Sequence, residues 1–244
     1  MHTPETDAFI ARLKTVYPGL SIQDRFRDFC LLAYCGAVQH TLPDADHGRI
    51  LAVAAQRQKI AEAYQPPHLL LAYPDLLRIF VRGLADGQDL LGSVARQLGA
   101  RNTGPGEFIP PPDHARALAE ERLLDADGII AELGHVLLDD LLSSGAVALA
   151  AADILTAKGY DVSKHLLVYS LTESPLLYAI TYVQLAYRGI PALVERTGHH
   201  YPEIADAAWT LPAGRFHAWH GHLFPEGFRQ DNPPPAPPPA PSLR

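Results

Sequence analysis

The run Asp139-Asp140-Leu141-Leu142-Ser143-Ser144-Gly145, continued by the alanine-rich segment 146–155, decides the fold of this chain. It predicts a strand, a turn of small residues and a helix, the arrangement in which nucleotide-binding α/β folds place their ligand. Glycine is favoured in such a turn because a Cβ atom would block the close approach of a ligand. The backbone amides of the turn and of the helix start would then face a bound cofactor.

The segments around this turn alternate between strand and helix. The sequence predicts buried strands over 129–138, 165–171 and 191–195, and helices over 145–158 and 175–187 between them. This alternation implies parallel strands joined by right-handed crossovers. The fold class expected is therefore α/β, with a minimal sheet of three strands.

The segments before the sheet predict helices. Apolar residues recur at helical spacing over 24–40 and 46–64, and a further helix is expected over 113–124. The apolar segment 69–84 contains Pro74, which is expected to break it into a short turn and a helix, since proline removes a backbone donor.

Three regions follow from this pattern. We predict a helical subdomain over 1–98, a Rossmann-like domain over 99–228 and a proline-rich tail over 229–244. Within the second region, 199–228 is rich in aromatic residues and histidine and is expected to form a hairpin or an irregular cap. The tail is expected to be extended and unpacked, in the polyproline II conformation.

Composition limits the function classes. The net charge is −7, which argues against a large basic groove for duplex DNA, since phosphate contacts supply most non-specific affinity. No leader sequence is recognised, and the apolar run 145–154 is too short to span a bilayer, so a cytoplasmic location without membrane contact is expected. Cys30 and Cys35 are expected to be buried thiols. DNA and protein partners both stay open.

Several motifs surround the turn in a fixed order. They are Gly106-Glu107-Phe108-Ile109-Pro110-Pro111 before it, the segments 165–175 and 182–192 after it, and Asp28-Phe29-Cys30 and Asp89-Leu90-Leu91-Gly92 further upstream. The order resembles the class I S-adenosylmethionine-dependent DNA adenine methyltransferases, in particular the short plasmid and integrative-element proteins called N-6 DNA methylase-like. In that family the corresponding runs are G-Q-F-F-T-P and D-P-A-C-G-S-G. The resemblance covers roughly residues 20 to 215.

The resemblance implies a cofactor site for S-adenosylmethionine on a Rossmann-like sheet of the methyltransferase type. It would place Phe108 and Pro111 over the cofactor, Asp139, Ser143 and Gly145 at the turn, and Glu173 at the ribose. The motifs depart from the family pattern at several positions: Pro110 replaces threonine, Asp140 proline, Leu142 cysteine, Ser143 the first glycine, and Thr172 and Ser174 the two aspartates. The resemblance therefore implies a weakened site. The alternative is that these residues only cap elements of an inherited fold.

The resemblance implies DNA adenine methylation, as in restriction-modification systems of mobile elements, but with eroded motifs. Transfer to adenine also needs an Asn/Asp-Pro-Pro-aromatic tetrad, in which the aromatic ring stacks on a flipped base. The nearest match, Asn232-Pro233-Pro234-Pro235, lacks the aromatic residue and opens the proline tail. No residue is therefore assigned as catalytic, and the protein is expected to be inactive alone or to be a non-catalytic module that binds protein or nucleic acid.

Histidines near the carboxyl end suggest another alternative, a metal-dependent enzyme, because imidazole is a common zinc ligand. These residues are His199, His200, His217, His220 and His222. The segment 217–220, which includes Trp219, is also a candidate surface for stacking a base, with Trp209 nearby. The spacing of Glu132 and His135 matches a di-iron motif, but both were expected on one strand, where their side chains would point to opposite faces.

Overall fold

A computed structural model describes residues 3–16, 19–42, 47–64, 68–100, 108–141, 143–198, 203–224 and 235–239. In these ranges the elements follow in the order α1 (Pro4–Lys14), α2 (Ile22–Val38), α3 (His47–Ala63), α4 (His68–Ala85), α5 (Leu90–Leu98), α6 (Pro112–Arg122), α7 (Ala126–Leu133), β1 (Val136–Leu141), α8 (Ala146–Ala157), α9 (Val162–His165), β2 (Leu166–Thr172), α10 (Pro175–Arg188), β3 (Ala192–Thr197), β4 (Ile204–Trp209) and α11 (Pro212–His220).

The strands form an open, mostly parallel sheet in the order β1-β2-β3-β4. β1, β2 and β3 are parallel, and β4 pairs antiparallel with β3. The crossover helices α8 and α10 contact each other, so both lie on the same face of the sheet. The predicted α/β class and parallel pairing are confirmed, and β4 adds a fourth strand.

The sheet is covered on both faces. Residues of β1, β2 and β3 that point towards α8 and α10 join the main core, which also includes the N-terminal helices through contacts of α10 with α2. Phe9 packs edge-to-face on Phe26 and Phe29 in that helical layer. The opposite face of the sheet carries a smaller core beneath α11, formed by Leu167, Leu193, Trp209, Ala213, Phe216 and Leu223. Cys30 and Cys35 are buried free thiols, as predicted.

The strand predicted over 129–138 is wrong. Its first half is the end of α7, which stops at Gly134 with φ of 82°, and β1 begins at Val136. A short apolar run does not by itself distinguish a strand from a buried helix. Glu132 and His135 therefore lie in different elements, with Glu132 in α7 and His135 just before β1.

The break predicted at Pro74 is also wrong, because α4 continues through it. Beyond the proline, Leu76, Phe80 and Leu84 recur every four residues and are all buried. Burial of this stripe outweighs the cost of a proline in a helix interior, which is about 3 kcal/mol and combines a lost hydrogen bond with a steric clash of the ring. The segment predicted as a hairpin or cap, 199–228, contains β4, which forms a hairpin with β3, and the helix α11.

Part of the proline-rich tail packs against the domain, contrary to the prediction of an unpacked tail. The indole Nε1 of Trp209 donates a 2.6 Å hydrogen bond to the carbonyl of Pro235. The Cα of Gly214 faces the carbonyls of Pro238 and Pro239, so that a side chain at Gly214 would collide with them. The segment 235–239 is thus held between β4 and α11, while the rest of the tail lies outside the described residues. The division at residues 98 and 228 stays a prediction.

We predict that Gly214→Ala loses the tail contact while Gly128→Ala does not. Both glycines lie in helices, where alanine is favoured by about 1 kcal/mol, but a Cβ at Gly128 has no neighbour within 4 Å. In denaturant unfolding, Gly128→Ala should be neutral or stabilising, and Gly214→Ala should be less stable than that control. Equal gains in the two variants would contradict the packing of 235–239 on α11.

Candidate functional site

The predicted cofactor residues are found around the carboxyl ends of β1 and β2. These ends are adjacent, since Leu141 pairs with Leu171, and Glu173 follows β2 as a half-buried residue. Ser143 and Gly145 form the buried turn after β1, with Gly145 at the N-cap of α8. The topology therefore brings the turn and Glu173 to one edge of the sheet.

The other predicted residues take peripheral positions. Asp139 points away from α8 and is exposed, and its main-chain carbonyl accepts a hydrogen bond from Arg122. Pro111 is the N-cap of α6, and Phe108 is 56% exposed with its ring against His114. Gly106 and Glu107 lie outside the described residues.

The acidic residue that faces the turn is Asp140, which stands where the family pattern has proline and was not predicted as a site residue. Asp140 is 2% exposed, accepts a 2.5 Å hydrogen bond from the hydroxyl of Ser143, and accepts a 3.3 Å bond from the amide of Ala148. The amide belongs to the first turn of α8, where unpaired N–H groups and the helix dipole favour an anion. The chain thus supplies its own anion at this helix start.

Ser143, which stands where the family pattern has its first glycine, adds further hydrogen bonds within the turn. Its hydroxyl accepts a 3.1 Å hydrogen bond from the amide of Gly145, and its carbonyl accepts one of 3.1 Å from Thr181. Gly145 itself has φ of 85°, a conformation that side chains other than glycine rarely adopt, and it lies against Thr181 and Leu185 of α10. The turn is therefore packed onto α10 rather than open towards solvent.

A second buried carboxylate, Asp89, holds the turn from the other side. It accepts hydrogen bonds from the Gln184 amide at 2.8 Å, the Gly92 backbone amide at 3.0 Å and the Ser144 hydroxyl at 3.2 Å, and Arg96 lies 3.4 Å away. Gln184 also donates to the carbonyl of Ser144 and accepts from the amide of Leu91. From the sequence, Asp89 was expected only in the helical leader. Aspartate is a favoured N-cap residue, and Asp89 directly precedes α5, which is the signal that could have identified its role.

Burial dominates the electrostatics of both carboxylates. It raises the pKa of Asp140 to about 6, against the opposing effect of the hydrogen bond from Ser143. It also raises the pKa of Asp89, against the hydrogen bond from Gln184 and the charge of Arg96. The negative charge of Asp89 also raises the pKa of Asp140. The turn is thus an unfavourable place for further negative charge.

These residues do not fit the cofactor that the resemblance implies. The amides of Gly145 and Ala148, which would face a ligand, donate to Ser143 and Asp140. The two positions at which the family has ribose-binding aspartates also serve the fold: Thr172 is fully buried, and the hydroxyl of Ser174 caps α10 by accepting from Leu176 and Leu177. The capping alternative accounts for these contacts.

Two of the carboxyl-terminal histidines, His220 and His222, lie near His135 on the opposite side of the sheet, whereas His217 is exposed on α11. The ring of His135 lies 4.7 Å from that of His220 and 6.0 Å from that of His222, measured between centroids. Burial, followed by the charges of these two histidines, lowers the pKa of His135 to about 4. In the described ranges no group of three or more His, Cys, Asp or Glu is arranged to hold a metal, and His199 and His200 lie outside those ranges.

Trp219 occupies the position predicted for base stacking. It is 49% exposed on α11, and the ammonium of Lys164 lies 4.7 Å from its ring centroid. Trp209 is buried under the tail instead. The two tryptophans therefore do not form one surface.

No protein-family model, no curated protein and no solved structure matches the chain. Among the helices that the structure describes, none has both the length and the apolar character needed to cross a membrane.

We predict that Asp89→Ala destabilises the protein by about 3 kcal/mol, because it leaves the buried amide of Gln184 and the guanidinium of Arg96 without their anion. Asp75→Ala is the control, since Asp75 forms surface ion pairs with Arg12 and Arg78 and should cost less than about 1 kcal/mol. Urea unfolding monitored by circular dichroism measures both. Similar losses in the two variants would show that Asp89 is not a structural centre.

We predict that the free energy of unfolding of Asp140→Asn, relative to that of the wild type, increases as the pH rises. A folded pKa of about 6, above the unfolded value, means that the wild type is favoured while Asp140 is protonated and loses that stability as the pH rises through 6. The stability of the variant relative to wild type should increase by about 2 kcal/mol between pH 4.5 and 7.5. Unfolding of both proteins in urea at several pH values measures this difference, and a difference that stays constant between pH 4.5 and 7.5 would contradict the prediction.

Proposed function

We propose that this protein is a non-catalytic binding protein on a methyltransferase-type α/β scaffold, and that its partner is another protein. The observation that carries the proposal is the carboxylate of Asp140 at the start of α8, bonded to Ser143 and to the amide of Ala148. A cofactor bound at a helix N-terminus needs those amides and the positive end of the dipole. Here the chain uses both for its own side chain.

S-Adenosylmethionine would meet two obstacles at this turn. Its amino-acid carboxylate would find the amides of Gly145 and Ala148 already donating to Ser143 and Asp140, and a second carboxylate beside Asp140 would be disfavoured by like charge. Its hydrogen bonds to the turn would also have to displace those made by Ser143 and Gln184. Both effects favour a scaffold that has kept its structure without the cofactor.

Charge favours a protein over DNA as the partner. The net charge is −7, and many cationic side chains are already beside carboxylates. Such ion pairs are formed by Arg12, Arg27, Arg49, Arg78, Arg96, Arg116, Lys158, Lys164 and Arg188. Cations that are neutralised in this way contribute little to phosphate binding, which is the main source of DNA affinity.

The second candidate is an S-adenosylmethionine-dependent DNA adenine methyltransferase. It is favoured by the position of Glu173, which follows β2 next to the turn, where a ribose-binding carboxylate would stand. In this case a second subunit would supply adenine recognition.

Calorimetric titration of the full chain with S-adenosylmethionine and S-adenosylhomocysteine separates the two candidates. We expect no saturable heat at millimolar ligand for the wild type, and none for Glu173→Ala. The double variant Asp140→Asn/Ser143→Gly, which removes the anion and the hydroxyl, is the matched test of whether the turn itself prevents binding. Saturable binding by the wild type that falls at least tenfold in Glu173→Ala would overturn the proposal in favour of the methyltransferase.

The preference for a protein partner has its own test. Fluorescence anisotropy with a labelled 20-base-pair duplex at 150 mM salt should show no binding up to about 10 μM protein, a concentration far above the dissociation constants of about 10⁻⁸–10⁻¹¹ M that are typical of specific DNA-binding proteins. Saturation below that concentration would assign the protein to nucleic acid instead.

A further inference from the structure

A cavity of about 660 Å³ lies away from the turn, between α2, α3, the start of α10 and the β3-β4 hairpin. Its walls are largely apolar or aromatic and include Tyr34, Val53, Tyr178 and Ile204. Cavities that bind small molecules have volumes of about 300–1,000 Å³ and combine such walls with a few polar groups. None of the six residues predicted to bind the cofactor lines this cavity.

The cationic side chains that line the cavity among the described residues are those of Arg49 and Arg196. Arg49 and Asp206 form a 2.9 Å ion pair at its wall, and Asp206 also accepts from the amide of Ala207. Arg196 is the cross-strand neighbour of Asp206 and is half-buried. In the part of the chain that the structure describes, its guanidinium has no hydrogen-bond or ion-pair partner.

The other acidic residue at the wall does not balance Arg196. Glu195 precedes it on β3, so its side chain points to the opposite face of the sheet, where Tyr169 donates to its carboxylate over 3.0 Å. Tyr169 packs against the smaller core beneath α11. The charge that Arg196 brings to the cavity is therefore available to a ligand.

The aromatic wall has a defined arrangement. The rings of Tyr34 and Tyr178 meet edge-to-face with centroids 5.3 Å apart, and their hydroxyl groups are 3.3 Å apart. Both side chains are held almost fully within the protein, at 9% and 3% exposure, so they are fixed before a ligand arrives. A rigid aromatic surface beside a guanidinium suits a flat ring that carries a negative group.

We infer that this cavity is a binding site for a small aromatic anion, no larger than a mononucleotide. The carboxylate or phosphate of the ligand pairs with Arg196, and its ring packs on the wall that contains Tyr34 and Tyr178. This site goes beyond the proposed function, because it uses residues that neither the turn nor the cofactor motifs contain.

The experiment is isothermal titration of the full chain with probes that separate the two parts of the ligand. Indole-3-carboxylate and adenosine monophosphate carry a ring with a carboxylate or a phosphate, while indole, adenosine and inorganic phosphate carry one part only. We expect at least one ring-bearing anion to saturate with a Kd below about 1 mM, equivalent to about −4 kcal/mol. The matching neutral ring should bind at least tenfold more weakly, and inorganic phosphate should not saturate.

Variants then test the assigned cation. Arg196→Met should weaken binding of the anion at least tenfold without changing that of the neutral ring, and Arg196→Lys should retain part of the affinity. Arg116→Met is the matched control, since Arg116 pairs with Glu120 on the exposed face of α6. If Arg196→Met does not fold, Ala52→Glu places a carboxylate at the exposed cavity wall on α3 and should weaken the same anion tenfold.

Two results would overturn the inference. One is that no ring-bearing anion saturates up to 10-fold above the expected Kd. The other is that anion binding survives unchanged in Arg196→Met and Ala52→Glu, with circular dichroism showing both variants folded. Because S-adenosylmethionine is not among the probes, these outcomes are independent of the test of the proposed function.

Discussion

The buried carboxylate of Asp89 is the interaction on which the arrangement of the chain depends. It caps α5, accepts from Gln184 of α10 and from Ser144 of the turn, and lies beside Arg96. A buried charge is tolerated only when hydrogen bonds or an opposite charge compensate for the lost water. The positions of the groups that bond to Asp89 are therefore constrained, because moving any of them would leave the carboxylate without a partner. The helical layer thereby determines where the turn after β1 sits.

The turn after β1 is closed by hydrogen bonds within the protein. With Gln184 and Thr181 holding the carbonyls of Ser144 and Ser143, the remaining polar groups of the turn are its amides and the start of α8. Asp140 and the hydroxyl of Ser143 bond to amides there. Asp140 and Ser143 act together, because the hydroxyl of Ser143 donates to Asp140 and accepts from the amide of Gly145. Loss of either side chain would leave a buried polar atom without one of its bonds.

The sequence was sufficient for the elements in which pattern and burial agree. The segments from 145 to 197 alternate between apolar strands and largely buried helices. Their order and parallel pairing were predicted correctly because buried parallel strands have few alternatives. The sequence was insufficient to tell which face of the sheet a given side chain points to. Asp139 and Asp140 are adjacent and chemically identical, and only the register of β1 against β2 decides that Asp140 faces α8. The strand assigned to 129–138 failed because a short apolar run is compatible with a helix as well as a strand. The break at Pro74 failed because burial of the apolar stripe beyond it overrode local propensity.

The cavity could not be predicted from the sequence either, because its lining residues meet only in the tertiary structure. Arg196 and Asp206 are distant from Arg49 in sequence and meet it only because β4 returns antiparallel beside β3 and α3 packs over that edge. In a parallel βαβ unit, the residues that bind a ligand lie at the carboxyl ends of the strands, and known sequence motifs describe these positions. An antiparallel hairpin at the sheet edge creates a polar row across two strands instead. In this chain the first kind of site is satisfied by the protein's own groups, and the second retains a cation without a partner among the described residues.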